Sequence, residues 1–264
     1  MDDLKAPRPR PSSQAPRAAS ATTARLAAEH GHDLIVAADT PLQQAVSDFQ
    51  ALGAKVESVE ADLASTDGVQ KLVDCIGGRP VDVLMANAGH GLGGAFPEQD
   101  FQAVLHVINT NITGTVHLIQ QVAGQMVGRG SGRILITGSI AGFQPGSFRA
   151  VYNGTKAFVD SFSMALRNEI KHSPVTVSCL MPGPTDTEFF HRADMETTKV
   201  ANDPKMMMQP DEVARIGFDA MLKGEADVVA GWKNKLQVVM SKVMPAQATA
   251  EMHRKLAEPG SAEK

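Results

Sequence analysis

The sequence predicts an α/β fold: a single doubly wound domain with a mostly parallel sheet and helices on both faces. Three observations carry this. From about residue 22 onward strand and helix signals alternate, the loops between them are short, and polar residues gather where strands end. Alternation with short loops requires parallel strands whose crossover helices cover both faces. Right-handed crossovers then wind the chain outward in both directions, and a ligand lies beyond the carboxyl ends of the strands.

Each element follows from its local pattern. "ATTARLAAEHG" has helical spacing and stops at Gly31, a natural C-terminal breaker. "HDLIVAA" is a short apolar strand, and "PLQQAVSDFQALGA" the helix after it. "KVESVEADL" and "TDGVQKLVDCIGG" repeat the pair. "VDVLMANAG" runs apolar until Asn87 and Gly89, as a buried strand does. Residues 101–126 read as one long helix, "GRILITGS" as a strand, and residues 150–170 as a second long helix. "VTVSCLMPG", the helix "PDEVARIGFDAML" and the β-branched "DVVAG" close the series. The domain is expected over residues 22–250, after an irregular or frame-disrupted segment over 1–21 and before a tail over 251–264.

Bulk properties narrow the function. At 264 residues the chain can bury a sizeable core. A formal net charge of −4 gives no reason to expect nucleic acid or an anionic membrane as partner. Cys75 and Cys179 sit far apart in apolar runs, which suits free thiols in a reducing cytosol, and a cytoplasmic location is expected. No apolar run is long enough to span a bilayer. Arginines and serines near the start resemble a transit peptide in composition, but Asp2, Asp3 and the lack of an apolar stretch speak for a plain tail. His90, His106, His117 and His191 show no metal-ligand spacing, and no metal is expected.

The chemistry centres on "YNGTK". Four residues on a helix put Tyr152 and Lys156 on one face. An ammonium beside a phenol favours phenolate, which makes a general acid/base usable near neutral pH. The pair alone recurs by chance, but it stands in an ordered set. Asn111 lies in "NITG", Ser139 in "TGSIAG", "ANAG" ends the earlier strand, and "MPGPTDT" follows the later one. Over residues 22–235 this set resembles the short-chain dehydrogenase/reductase family in its shorter-subunit branch, built on a Rossmann-type domain.

The resemblance implies an NAD(P)-dependent oxidoreductase that moves a hydride between a nicotinamide cofactor and a ketone or secondary alcohol. It implies that Tyr152 exchanges a proton with the substrate oxygen and that Ser139 holds that oxygen. Lys156 would support Tyr152 and grip the nicotinamide ribose, and Asn111 would bend its helix and hold a water beside Lys156. Asp62 would contact adenine, Asn87 and Gly89 would let backbone approach the cofactor, and Pro182, Gly183 and Thr187 would orient the carboxamide. Ala86 departs from the family, which places a second asparagine there. The residues 188–209 match a substrate lid, where Phe189, Phe190 and Met206, Met207 and Met208 would suit a mostly apolar small-molecule substrate. Asp39, near the end of the second strand expected of the family, favours NAD over NADP, since an acid repels a 2′-phosphate. The two long helices resemble those that pair subunits, so a homodimer or homotetramer is expected. An epimerase or dehydratase with the same residues would carry a longer C-terminal region.

One segment breaks the pattern. The family opens with an apolar strand and a T-G-x-x-x-G-x-G turn, whose backbone N–H groups meet the pyrophosphate at a helix N-terminus. Here "PRPRPSSQAPRAAS" stands in that place. Pro7, Pro9, Pro11 and Pro16 each remove a ladder donor and cannot occupy a central strand. Codons exist for Pro11 through Ala21 whose last base, joined to the first two of the next codon, spells IITGASSGIG. That is a strand end followed by the family's glycine turn. A pair of compensating frame changes explains the segment; a true proline-rich tail is the other reading, and with it a catalytically impaired binding protein.

Overall fold

The computed structural model describes residues 19–263. Residues 7–18 of the proline-rich segment therefore lie outside the described residues, and Ala19 opens the first helix, α1 (Ala19–Glu29). The chain continues as β1 (Leu34–Ala38), α2 (Gln43–Gln50), β2 (Val56–Glu60), α3 (Thr66–Ile76) and β3 (Val83–Ala86). Then come α4 (Phe101–Ile108), a π-helical segment (Asn109–Gly114), α5 (Thr115–Arg129), β4 (Arg133–Thr137), α6 (Ala150–Glu169) and β5 (Thr176–Met181). Two single-turn helices, α7 (Phe189–Arg192) and α8 (Lys199–Asn202), precede α9 (Pro210–Lys223), β6 (Asp227–Val229), α10 (Trp232–Val243) and α11 (Ala246–Ala257).

Every ladder between these strands is parallel, and alternation along them sorts the core into two layers. Leu84, Ala86, Ile134 and Ile136 point one way, into a cluster with Val69 and Leu72 of α3, Ile119 and Val122 of α5 and Val159 of α6. Leu135 and Leu180 point the other way, onto Leu26 of α1 and Val213, Phe218 and Met221 of α9. Helices thus cover both faces, which is the doubly wound arrangement the alternation requires.

Among the described residues the strands fall into two parallel sheets within this doubly wound arrangement. Among these residues β1 pairs with β2, and β3, β4, β5 and β6 form a four-stranded sheet in that order. Yet Ile35 and Ala37 of β1 pack on the same cluster as Leu84 and Ala86, and Leu34 packs on the same opposite layer as Val83 and Met85. Both strands therefore lie between the same two helix layers, and each keeps one edge without a ladder among the described residues.

Two corrections concern helices. The long helix over residues 101–126 is interrupted by the π-helical segment, and residues 251–257 belong to α11 instead of a tail. α11 packs Ala257 and Leu256 onto Phe190, Met195 and Val200 of the segment over residues 188–209.

Candidate active site

The carboxyl ends of the strands collect the residues singled out in the sequence. Along α6, Tyr152 and Lys156 lie on the buried face, 6% and 5% exposed. Lys156 Nζ donates to the Thr137 carbonyl at 2.7 Å, which anchors the ammonium at the end of β4. Thr137 also donates its hydroxyl to Asn87 Oδ1, so the turn after β3 is fastened to the same strand end. Gly89 comes closest of this turn: a Cβ there would stand 3.5 Å from both Lys156 Nζ and Asn111 Oδ1.

Asn111 sits in the π-helical segment, almost wholly buried. Its Oδ1 accepts from the His90 N–H at 2.7 Å, and its Nδ2 donates to the His90 carbonyl at 2.9 Å and to Thr155 Oγ1 at 2.9 Å. The local change of helical pitch is what lets one asparagine satisfy a neighbouring loop and α6 together. Such insertions recur at functional sites. Gly114 closes the same segment against the loop that carries Asp62, where a Cβ would meet the Leu63 carbonyl oxygen at 1.9 Å. Asp62 Oδ1 accepts from the Ala64 N–H, and Ser65 caps α3 through Gly68. Asp62 is thus a turn residue, and the cap falls to Ser65.

Ser139 follows β4 in extended conformation; its Oγ accepts from the Ala141 N–H and lies 3.4 Å from the Pro182 carbonyl, to which it donates. This joins the ends of β4 and β5. Gly183 lies tight against the Asn234 side chain, and Thr187 Oγ1 accepts from the Phe189 N–H at 3.3 Å, which seats Phe189. The Phe189 ring stands 5.2 Å from that of Tyr152, centroid to centroid. Asp39 is exposed just past β1, and its charge reaches His90, whose pKa is lowered chiefly by burial and by His106.

Three residues near this site escaped the sequence reading. Asp160 continues the Tyr152–Lys156 face of α6 by one more turn. It accepts from the Ser139 N–H at 3.2 Å, and burial pushes its carboxyl up to about 7. Gly138 and Gly142 leave room for it, since a Cβ at either would fall within 2.2 Å of its oxygens. Asn153 donates to the Ala141 and Gln144 carbonyls and ties the Ser139 turn to α6. Arg149, at the start of α6, lies with its guanidinium carbon 4.6 Å from the Tyr152 ring centroid. The four-residue spacing of Tyr152, Lys156 and Asp160 was the available signal for the first of these; nothing local marks Arg149.

Fold and site define a dinucleotide-dependent oxidoreductase architecture, and comparison with known proteins agrees. The model of the short chain dehydrogenase family matches residues 19–197. The chain belongs to the short-chain dehydrogenase/reductase family of oxidoreductases. It is 30% identical over 208 residues to an uncharacterised oxidoreductase of Myxococcus xanthus (strain DK1622), covering 78% of this chain and 79% of that one. It is 34% identical over 140 residues to retinol dehydrogenase 8 of Bos taurus, covering 53% of this chain and 45% of that protein. Among solved structures, a short-chain dehydrogenase from Sphingobium yanoikuyae in complex with NADPH aligns with a TM-score of 0.75 at 28% identity, over 89% of this chain and 95% of that one. Among the described residues no helix is long and apolar enough to cross a membrane, and no group of three or more His, Cys, Asp or Glu side chains is arranged to hold a metal ion.

Proposed function

We propose that this chain catalyses hydride transfer between a nicotinamide dinucleotide and a ketone or secondary alcohol, with Tyr152 as general acid/base. The observation that carries the reading is the buried face of α6. Tyr152 and Lys156 share it, Lys156 is pinned to Thr137, and Ser139 is fixed beside it by Asp160 and Asn153. Tyr152 donates its proton to the substrate oxygen in reduction and accepts one in oxidation. Ser139 holds that oxygen through its hydroxyl, and Lys156 keeps positive charge near the phenol so that phenolate is tolerated. Asn111, through its three hydrogen bonds, keeps residues 87–90 and α6 in register beside Lys156.

The residues at the strand ends fit a dinucleotide. Gly89 leaves bare backbone beside Lys156, Asp39 and Asp62 stand beyond β1 and β2, and residues 182–187 follow β5. When bound, the nicotinamide supplies or accepts the hydride. The lean toward NAD drawn from Asp39 finds no support, since the Sphingobium relative holds NADPH; NADPH is the cofactor to assay first. The test is oxidation of NADPH followed at the nicotinamide absorbance with a panel of ketones, for the parent chain and for Tyr152→Phe. Loss of the general acid should lower kcat by about a hundred- to ten-thousand-fold. Turnover that survives Tyr152→Phe overturns the assignment. Absence of NADPH and NADH binding at millimolar concentration would instead favour a binding protein on this fold.

A further inference from the structure

Arg149 is a buried cation without a carboxylate partner, set against the phenol that the proposed reaction uses. It is 7% exposed; among the described residues its Nε has no hydrogen-bond partner, and Tyr152, through its charge and a side-chain hydrogen bond, is the only group that favours the charged form against the burial that opposes it. The guanidinium carbon lies 4.6 Å from the centroid of the Tyr152 ring and 5.8 Å from that of Phe189, between the phenol and the lid. The second cation of the site, Lys156, stands 6.0 Å from the Tyr152 centroid. His253 of α11 brings no negative charge; burial and the nearby Arg149 hold it neutral, down to about 4. Asp160 is committed to the turn of Ser139. A buried guanidinium is strongly disfavoured in the absence of an anion, because burial strips its hydration.

The chain also invests in holding Arg149 there. Phe148, just before it, has a φ of 61°, which is left-handed backbone for a bulky residue. α11 clamps this turn: Ser147 Oγ donates to the Ala250 carbonyl at 2.9 Å, His253 Nδ1 lies 3.0 Å from the Ser147 carbonyl, and Arg254 stacks on the Phe148 ring at 5.2 Å. A strained turn braced by a separate helix and ending in a buried cation with no carboxylate partner among the described residues has the form of a preorganised ligand contact.

We infer that Arg149 anchors a carboxylate on the substrate, so that the preferred substrate is an apolar carbonyl compound bearing an acid group. This rests on the reaction proposed above and names its substrate class. The planar guanidinium offers paired N–H donors to a carboxylate in fork geometry, while Phe189 beside it and Phe148 just before it offer apolar surface.

Two measurements test it. The first compares kcat/KM for a medium-chain oxo acid and its methyl ester in the parent chain, in Arg149→Met and in Arg149→Lys. The acid should be preferred by tens-fold, as expected of about 1.5–3 kcal/mol for a hydrogen bond to a charged group. The preference should vanish in Arg149→Met through a raised KM for the acid alone, and return in part in Arg149→Lys. Equal use of acid and ester, with both lowered alike in Arg149→Met, overturns the inference and leaves the guanidinium serving Tyr152 only. The second needs no turnover: decanoate should raise the Tm of the parent chain where decanamide does not, and Arg149→Met should abolish the difference. Equal shifts with the two ligands overturn it. Failure of the reaction itself appears separately, as lack of turnover with every carbonyl while the decanoate response persists.

Discussion

Two buried titratable side chains near the site, Asp160 and His253, have opposite effects on stability, and their pH windows overlap. Burial lifts the Asp160 carboxyl to about 7, so the folded state keeps a proton that the unfolded chain gives up near about 4. Its contribution is full below that lower value and is lost as pH rises toward 7. Burial lowers His253 to about 4, so the unfolded chain binds a proton that the folded one refuses up to about 6.5. That contribution works the other way: stability grows as pH rises through the same window. The parent chain should therefore show a shallow stability profile between these limits. Asp160→Asn keeps an acceptor for the Ser139 N–H and removes the titration, so urea midpoints of this variant should climb with pH from 4 to 6.5 and stay flat above. His253→Gln should give the reverse slope, falling toward pH 7. A parallel profile for parent and Asp160→Asn would mean that this carboxyl titrates in its ordinary range. Neither residue stood out in the sequence, because burial depends on which helices pack together, and α11 read as a tail.

At the level of elements, the sequence announced most helices and strands through period and caps, but showed the π-helical break between α4 and α5 only as the bend that the family resemblance implies at Asn111. A continuous apolar spacing over residues 101–126 is compatible with one straight helix, and a single inserted residue alters that spacing too little to see. What reveals the break is packing: Gly114 closes on the Leu63 carbonyl, and Asn111 reaches His90 on one side and Thr155 on the other. This reverses the usual ranking of glycine and alanine. In a helix interior, Gly→Ala ordinarily stabilises by about 0.5–1 kcal/mol. Gly124 of α5 is exposed with open space where a Cβ would go, so Gly124→Ala should show that gain in thermal or urea unfolding. Gly114→Ala should show a loss of about 1–3 kcal/mol, as overpacking does, and should weaken NADPH binding by displacing the Asp62 loop. If both substitutions stabilise alike, the close approach to Leu63 is not a constraint on the fold.

Across the whole molecule, the layered α/β architecture was readable from alternation alone. Among the described residues the strands form a β1–β2 sheet and a β3–β6 sheet between common helix layers, and the prolines at 7, 9, 11 and 16 lie outside those residues. Chain direction makes the consequence specific. α1 ends near Glu29 and a short turn returns the chain into β1, so α1 runs back along the strands and its N-terminus lies toward their carboxyl ends. A strand placed just before α1 would enter parallel to β1 and β3, with ladder partners ready on both edges, and its last residues would turn into the α1 N-terminus. Glycines at that turn would expose N–H groups to an anion. The reading IITGASSGIG supplies both features, and the prolines supply neither. A chain carrying that reading in place of residues 11–21 should therefore unfold at higher temperature than the parent. It should also bind NADPH more tightly in a fluorescence titration, with the largest gain at low salt, where a helix N-terminus attracts phosphate most strongly. The control keeps the apolar strand residues but replaces the three glycines of the turn by alanine. It should recover part of the thermal gain through the added ladders while losing most of the affinity gain, because a Cβ obstructs backbone approach to the pyrophosphate. Equal Tm and equal NADPH affinity in the parent and the replaced chain would show that the segment as written serves the fold and the cofactor as well as the glycine turn does.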